Sequence, residues 1–133
     1  MPIDFPIVFR SSAAPTIGVE WEFALVDRET RDLSNTAADL FAAVSPRLAD
    51  ASRLHKELLR NTVEVVTGIC DTVPEAMADL RQTLGYVVPA LDELDLDLYG
   101  AGTHPFASWT VVQSWPFLTC TSTSFPPGGI RAK

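Results

Sequence analysis

Ile17-Gly18-Val19-Glu20-Trp21-Glu22-Phe23-Ala24-Leu25-Val26 is the first regular stretch of this 133-residue chain. In its middle, Val19, Trp21 and Phe23 alternate with Glu20 and Glu22. Side chains of a β-strand point alternately to opposite faces, so this is a strand with one apolar and one acidic face. Two carboxylates two residues apart on one face are separated by about 7 Å. Such a pair is either the solvated side of an amphipathic strand or a set of hard oxygen ligands for a cation such as Mg²⁺. The apolar side needs partners, and the rest of the chain is read for them.

Downstream, Asp27-Arg28-Glu29-Thr30 reads as a turn and Arg31-Asp32-Leu33 as a short return strand. Ser34 or Asn35 is the expected cap of a helix over 36–45, with Leu40, Phe41 and Val44 in one stripe and Pro46 at its end. Residues 47–60 fit either a broken helix or a loop. A second strand is expected at 61–69, with Val63, Val65, Thr67 and Ile69 on one face. Thr62, Glu64, Val66 and Gly68 fall on the other. Thr72-Val73-Pro74-Glu75 has the spacing of a capping box. The helix it opens, over 73–94, carries Val73, Met77, Leu80, Leu84, Val87, Leu91 and Leu94 at alternating steps of four and three. Leu80, Leu84 and Leu91 are expected against the sheet, with a kink near Pro89. A third strand follows at 96–102, then a loop from Thr103 to Phe106. The fold class is therefore α+β. Residues 1–15 read as an irregular arm and 110–133 as a divergent, poorly ordered tail rich in turn formers.

Composition limits the partners. Lys and Arg number 10 against 17 Asp and Glu, a net charge of −7. That balance disfavours nucleic acid and anionic membrane surfaces, both of which are held by basic groups. No stretch reaches the roughly 20 apolar residues that span a bilayer. Met1 to Phe9 contains Asp4 and two prolines and has no cationic leader, so no secretory signal is expected. Cys70 and Cys120 fit no metal or redox spacing and read as free thiols, which makes the cytoplasm the expected location.

Three groups of residues bear on chemistry. Glu20 and Glu22 are the first. Glu64 is the second: a lone charge in an apolar strand must face water or have a partner, and Glu57 can approach from the preceding segment. Equal strand parity places Glu20, Glu22 and Glu64 on one sheet face. The third is Gly100-Ala101-Gly102-Thr103-His104-Pro105, where two glycines permit close backbone approach. His104 there binds substrate, serves as acid or base, or caps the loop. Arg60 is the basic group nearest the carboxylate strand, with a surface ion pair as its other reading. His55 has no evident partner and reads as surface. Phosphate-loop, dinucleotide-fingerprint and nucleophile-elbow patterns are all absent.

Taken together, Gly18-Val19-Glu20-Trp21-Glu22-Phe23, Glu57-Leu58-Leu59, Thr62-Val63-Glu64-Val65-Val66-Thr67-Gly68 and Gly100-Ala101-Gly102-Thr103-His104-Pro105-Phe106 resemble the N-terminal part of the glutamate–cysteine ligase type 2 family. These are ATP-dependent carboxylate–amine ligases. The resemblance covers 16–109, read as a partial ligase catalytic domain. It implies a glutamine synthetase-like fold: a curved, mainly antiparallel sheet with helices on its outer face, under which Val19, Trp21 and Phe23 pack. It implies that Glu20, Glu22, Glu64 and Glu57 bind Mg²⁺ bridging ATP phosphates, with Arg60, Thr103 and His104 as substrate or nucleotide contacts. The implied reaction phosphorylates the γ-carboxylate of glutamate. The amine of cysteine, or another amine, then displaces phosphate to give γ-glutamylcysteine or its analogue. Family members are considerably longer, so the expectation is a truncated ligase with little turnover of its own. The alternative is a non-catalytic remnant that binds at most a cation or a partner chain, with an exposed sheet edge that favours self-association.

Overall fold

β1, Glu20–Asp27, is the centre of the architecture because both its long edges are paired. The computed structural model describes residues 13–108, 110 and 112–115. The chain continues through α1 (Ala37–Val44), two 3₁₀ turns (Ser45–Arg47 and Ala51–Arg53) and β2 (Leu54–Lys56). β3 (Thr62–Val66), α2 (Val73–Glu93) and β4 (Leu96–Tyr99) follow. The four strands form one antiparallel sheet in the order β2-β3-β1-β4. The α+β class and the antiparallel sheet are as the sequence indicates.

The apolar side of the alternation builds the core. Phe23 and Leu25 of β1, Val63 and Val65 of β3 and Leu54 of β2 are buried with Leu40 and Val44 of α1 and Leu80, Val87 and Leu91 of α2. Both helices thus cover one face of the sheet. At roughly 25 cal/mol per Å² of apolar surface removed from water, this face supplies most of the favourable folding energy.

Several local expectations are corrected. Thr36, not Ser34 or Asn35, occupies the N-cap position of α1, and its side chain makes no capping bond. Arg31–Leu33 forms only a single bridge, Val26 to Leu33. The ambiguous segment 47–60 holds β2, an edge strand too short to show a period of its own. The strands expected at 61–69 and 96–102 are shorter, so Ile69 lies past the end of β3 and is 87% exposed.

Helix α2 starts as expected: Thr72 Oγ1 accepts from the Glu75 amide at 3.4 Å. The Glu75 carboxylate accepts from the Asp71 amide at 2.8 Å, one residue earlier than in a reciprocal box. Its buried line is Ala76, Leu80, Thr83, Val87, Ala90 and Leu91. Leu80 and Leu91 are buried as anticipated, Leu84 only partly, and Val73 and Met77 are exposed. The helix is turned toward Ala76, Thr83 and Ala90, which recur every seven residues. Leu80, Val87 and Leu91 are buried beside them. The helix runs on through Pro89, which is on its exposed side. Trp21 is also corrected: it is 43% exposed rather than packed under the helices, although its ring lies 4.5 Å from that of Phe23.

The arm over 1–12, Cys120 and the tail over 116–133 lie outside the described residues. Trp115 packs against the core, and Ser114 bridges to Leu59. Cys70 is a buried free thiol. No helix among the described residues is long and apolar enough to cross a membrane.

Candidate functional site: a carboxylate row on the open sheet face

The face of the sheet opposite the helices carries the acidic half of the alternation. Glu22 of β1 stands directly across from Glu64 of β3, and Glu64 stands across from His55 of β2. Glu20 shares the face two residues along, opposite Val66. Strand parity therefore does bring Glu20, Glu22 and Glu64 to one side. Directly opposed strand residues have Cβ atoms about 4.5–5.5 Å apart, and like charges there repel.

Burial and the gathered negative charge both act on Glu64. The Glu64 carboxyl holds its proton more tightly than an ordinary glutamate. Desolvation is the largest cause, followed by the negative charges of Glu57 and Glu20, while His55 acts in the opposite sense and Glu22 adds a smaller upward push. Glu57, half-buried after β2, thus belongs electrostatically to the same group. None of these four glutamates takes part in an ion pair among the described residues.

Two recesses border the row. Glu22 lines one of about 450 Å³, with Trp21, Asn61, Thr62 and the 100–104 loop. Glu20 and His55 line the other with Arg53 and Gly68. Thr103 and His104 line the first recess together with Glu22. Both ring nitrogens of His104 bond to backbone, Nε2 to the Arg31 carbonyl at 2.9 Å and Nδ1 to the Ala107 amide at 3.0 Å.

Arg60 is held by the segment that follows the loop. It donates to Gln113 Oε1 at 2.8 Å and lies over the Trp115 ring, as does Lys56. The other arginines near the sheet are engaged as well. Arg28 and Arg31 bridge to Asp97, and Arg53 bridges to Asp50 and Asp79. The described face is therefore acidic, with the His55 imidazole and the ion-paired Arg53 beside Glu20.

The donor set suits a hard cation in one specific sense. Among the described residues no three His, Cys, Asp or Glu side chains are gathered closely enough to hold a metal ion. Mg²⁺ rarely takes an all-protein cage; it uses one or two carboxylates and completes its shell with water and substrate phosphates. An opposed carboxylate pair with surplus negative charge fits that habit.

Two participants escaped the sequence reading. His55 is exposed, as expected, but its Nε2 bonds to the Ser52 carbonyl at 2.7 Å and it faces Glu64. Trp21 lines the recess beside Glu22. The signal for His55 was the inward Leu54 next to it, legible only once β2 is known to pair.

Fold and site together define an α+β unit: an antiparallel sheet covered by helices on one face and lined with carboxylates on the other. The model of glutamate-cysteine ligase family 2 matches residues 16–117, and the chain belongs to that family. A Nocardioides protein named "Putative glutamate--cysteine ligase 2-3" is 73% identical over 107 residues, covering 80% of this chain and 28% of the relative. A Mycolicibacterium paratuberculosis protein named "Putative glutamate--cysteine ligase 2" is 60% identical over 107 residues, 80% of this chain and 27% of the relative. The chain thus spans less than a third of the length of the curated relatives it matches.

Proposed function

We propose that residues 16–115 form the carboxylate-bearing portion of an ATP-dependent glutamate–cysteine ligase. The observation that carries this reading is Glu22 facing Glu64 across β1 and β3, with Glu20 and Glu57 adding negative charge. A free carboxylate is a poor electrophile. Transfer of the γ-phosphoryl group of ATP to the γ-carboxylate oxygen of glutamate makes a good leaving group, and the amine of cysteine then displaces phosphate. Glu22, Glu64, Glu20 and Glu57 would lend one or two carboxylates at a time to Mg²⁺, which when bound would supply charge neutralisation for the transferring phosphoryl group. The recess beside Glu22, with Thr103 and Asn61 as neutral polar groups and Trp21 as an apolar wall, is the place for an amino-acid substrate.

The same geometry argues for low turnover by the 133-residue chain alone. Arg28 and Arg31 are paired with Asp97, Arg60 with Gln113, and Arg53, the one arginine that lines a recess with Glu20 among the described residues, with Asp50 and Asp79, so a triphosphate would have to compete with these partners.

A chimera tests the ligase reading. Residues 16–115 replace the corresponding segment of the Nocardioides relative, and ATP-, glutamate- and cysteine-dependent phosphate release is followed with Mg²⁺ present. The expected result is an active chimera that loses at least about 100-fold with Glu22→Gln, in line with the losses caused by disturbing metal shells. A folded chimera whose activity is indifferent to Glu22→Gln and Glu64→Gln overturns the assignment.

A further inference from the structure

One side chain holds the loop that walls the Glu22 recess. His104 Nε2 is 2.9 Å from the Arg31 carbonyl oxygen, which only accepts, so Nε2 carries the proton. Nδ1 is 3.0 Å from the Ala107 amide and 3.5 Å from the Phe106 amide, which only donate, so Nδ1 offers its lone pair. Both contacts are satisfied only by the neutral Nε2–H imidazole. The arrangement resembles an Asx turn in which a ring nitrogen replaces the side-chain oxygen.

The partner on the other side is equally constrained. Arg31 has φ 62°, in the left-handed region that L-residues seldom enter. It is held there by its amide on the Asp27 carbonyl at 2.8 Å and its guanidinium on Asp97 at 2.6 Å. That conformation presents its carbonyl to His104. The rings of Tyr99 and Phe106 flank the imidazole at 5.4 and 4.6 Å. At the start of the loop, Gly100 lies against Phe23 and Trp21.

We propose that His104 is a positioning residue and a proton-sensitive latch. As neutral imidazole it pins residues 104–107 to the turn after β1, and as imidazolium it loses its acceptor and releases the Ala107 end of the loop. The charged and titratable groups around it are Tyr99 and Asp97 of β4, Arg31 of the turn and, lining the same recess, Glu22 of β1. Asp97 is already engaged by Arg28 and Arg31. Of the roles open to His104 from the sequence, this is the loop-capping one, with both nitrogens on backbone. It is independent of the ligase reading, since it needs only the folded chain.

The test is ¹H–¹⁵N NMR on the full chain. At pH 8 the His104 ring nitrogens should show the Nε2–H tautomer, and the Ala107 amide should be protected from exchange. Between pH 8 and pH 5 that protection should fall about three- to tenfold, the worth of one hydrogen bond, with the same midpoint as the ring signals. His104→Asn places Oδ1 near the position of Nδ1 and cannot titrate, so it should keep Ala107 protected throughout. His104→Phe should lose the protection already at pH 8. Ala107 protection that is level from pH 8 to 5 in the wild-type chain, or that falls equally in His104→Asn, overturns the latch even where His104→Phe does not fold.

Discussion

The two faces of the sheet come from the same strands and differ in almost every physical respect. On one, Phe23, Leu25, Val63 and Val65 disappear beneath α1 and α2. On the other, Glu20, Glu22 and Glu64 are left together, and Glu64 is pushed toward its protonated form. The period of two assigns residues to both faces at once, so a slip of one residue in β1 would bury both carboxylates and expose Phe23 and Leu25. The apolar face therefore holds the acidic row in register: hydrophobic burial bears the cost of gathering like charges. A stabilising side and a strained side are one design read from two directions.

The largest effect expected from breaking this contrast is on the covered face. Leu25 is fully buried, and Leu25→Ala should cost about 2–5 kcal/mol in urea unfolding. Leu84, only partly buried, should cost clearly less on the same change. Equal costs would mean that α2 sits at a different rotation on the sheet.

The next effect lies at the junction between the faces. A Cβ on Gly68 would come within 2.8 Å of the Arg53 guanidinium, which bridges to Asp79 at 3.0 Å, while Asp79 also accepts from the Gly68 amide at 2.7 Å. Gly68→Ala should displace Arg53 and cost about 1–2 kcal/mol in the same measurement. No loss would show that Arg53 swings aside freely.

On the acidic face the sign reverses. A carboxyl whose folded pKa is raised favours folding below the ordinary glutamate range, near 4.5, and that contribution is lost as pH rises through the folded value. Glu64→Gln should therefore stabilise the chain at pH 7, by less than about 1 kcal/mol because solvent screens the row. Asp27 and Asp50 behave oppositely. Hydrogen bonds from Thr30 and from Ser52 hold their pKa values down, so their contribution is present at neutral pH and disappears on acidification. A melting-temperature profile against pH for wild type, Glu64→Gln and Asp27→Asn separates these two senses. Destabilisation by Glu64→Gln at pH 7 would mean that the row is compensated by a cation.

The smallest effect is reserved for Ile69, apolar but 87% exposed beyond the end of β3. Ile69→Ser should change stability by no more than about 0.5 kcal/mol. A larger loss would return Ile69 to the covered face, where the alternation alone had placed it.

Legibility followed distance along the chain. Alternation in Val19–Phe23 and in Val63–Val65, the Thr72 cap and the 73–94 periodicity are local signals, and each produced an element of the right kind in nearly the right place. Parity within the strands placed Glu20, Glu22 and Glu64 on one face. Four motifs in order also gave the family, later matched over residues 16–117. The misses have a common form. β2 is three residues long, and only its pairing with β3 makes it a strand and sets His55 beside Glu64. The contacts of Arg60 with Gln113 and Trp115, more than 50 residues on, were likewise beyond any local pattern.

The sequence by itself thus determined the fold class, the acidic and apolar sides of β1 and β3, and the family, because side-chain alternation, helix periodicity and cap chemistry act within a few residues. Tertiary structure alone decided the rotation of α2 onto Ala76, Thr83 and Ala90, the three-strand row Glu22–Glu64–His55, and the use of both His104 nitrogens as a backbone latch. Those depend on close packing and on register between segments up to 73 residues apart, where the energy belongs to pairs of residues and no local pattern records it.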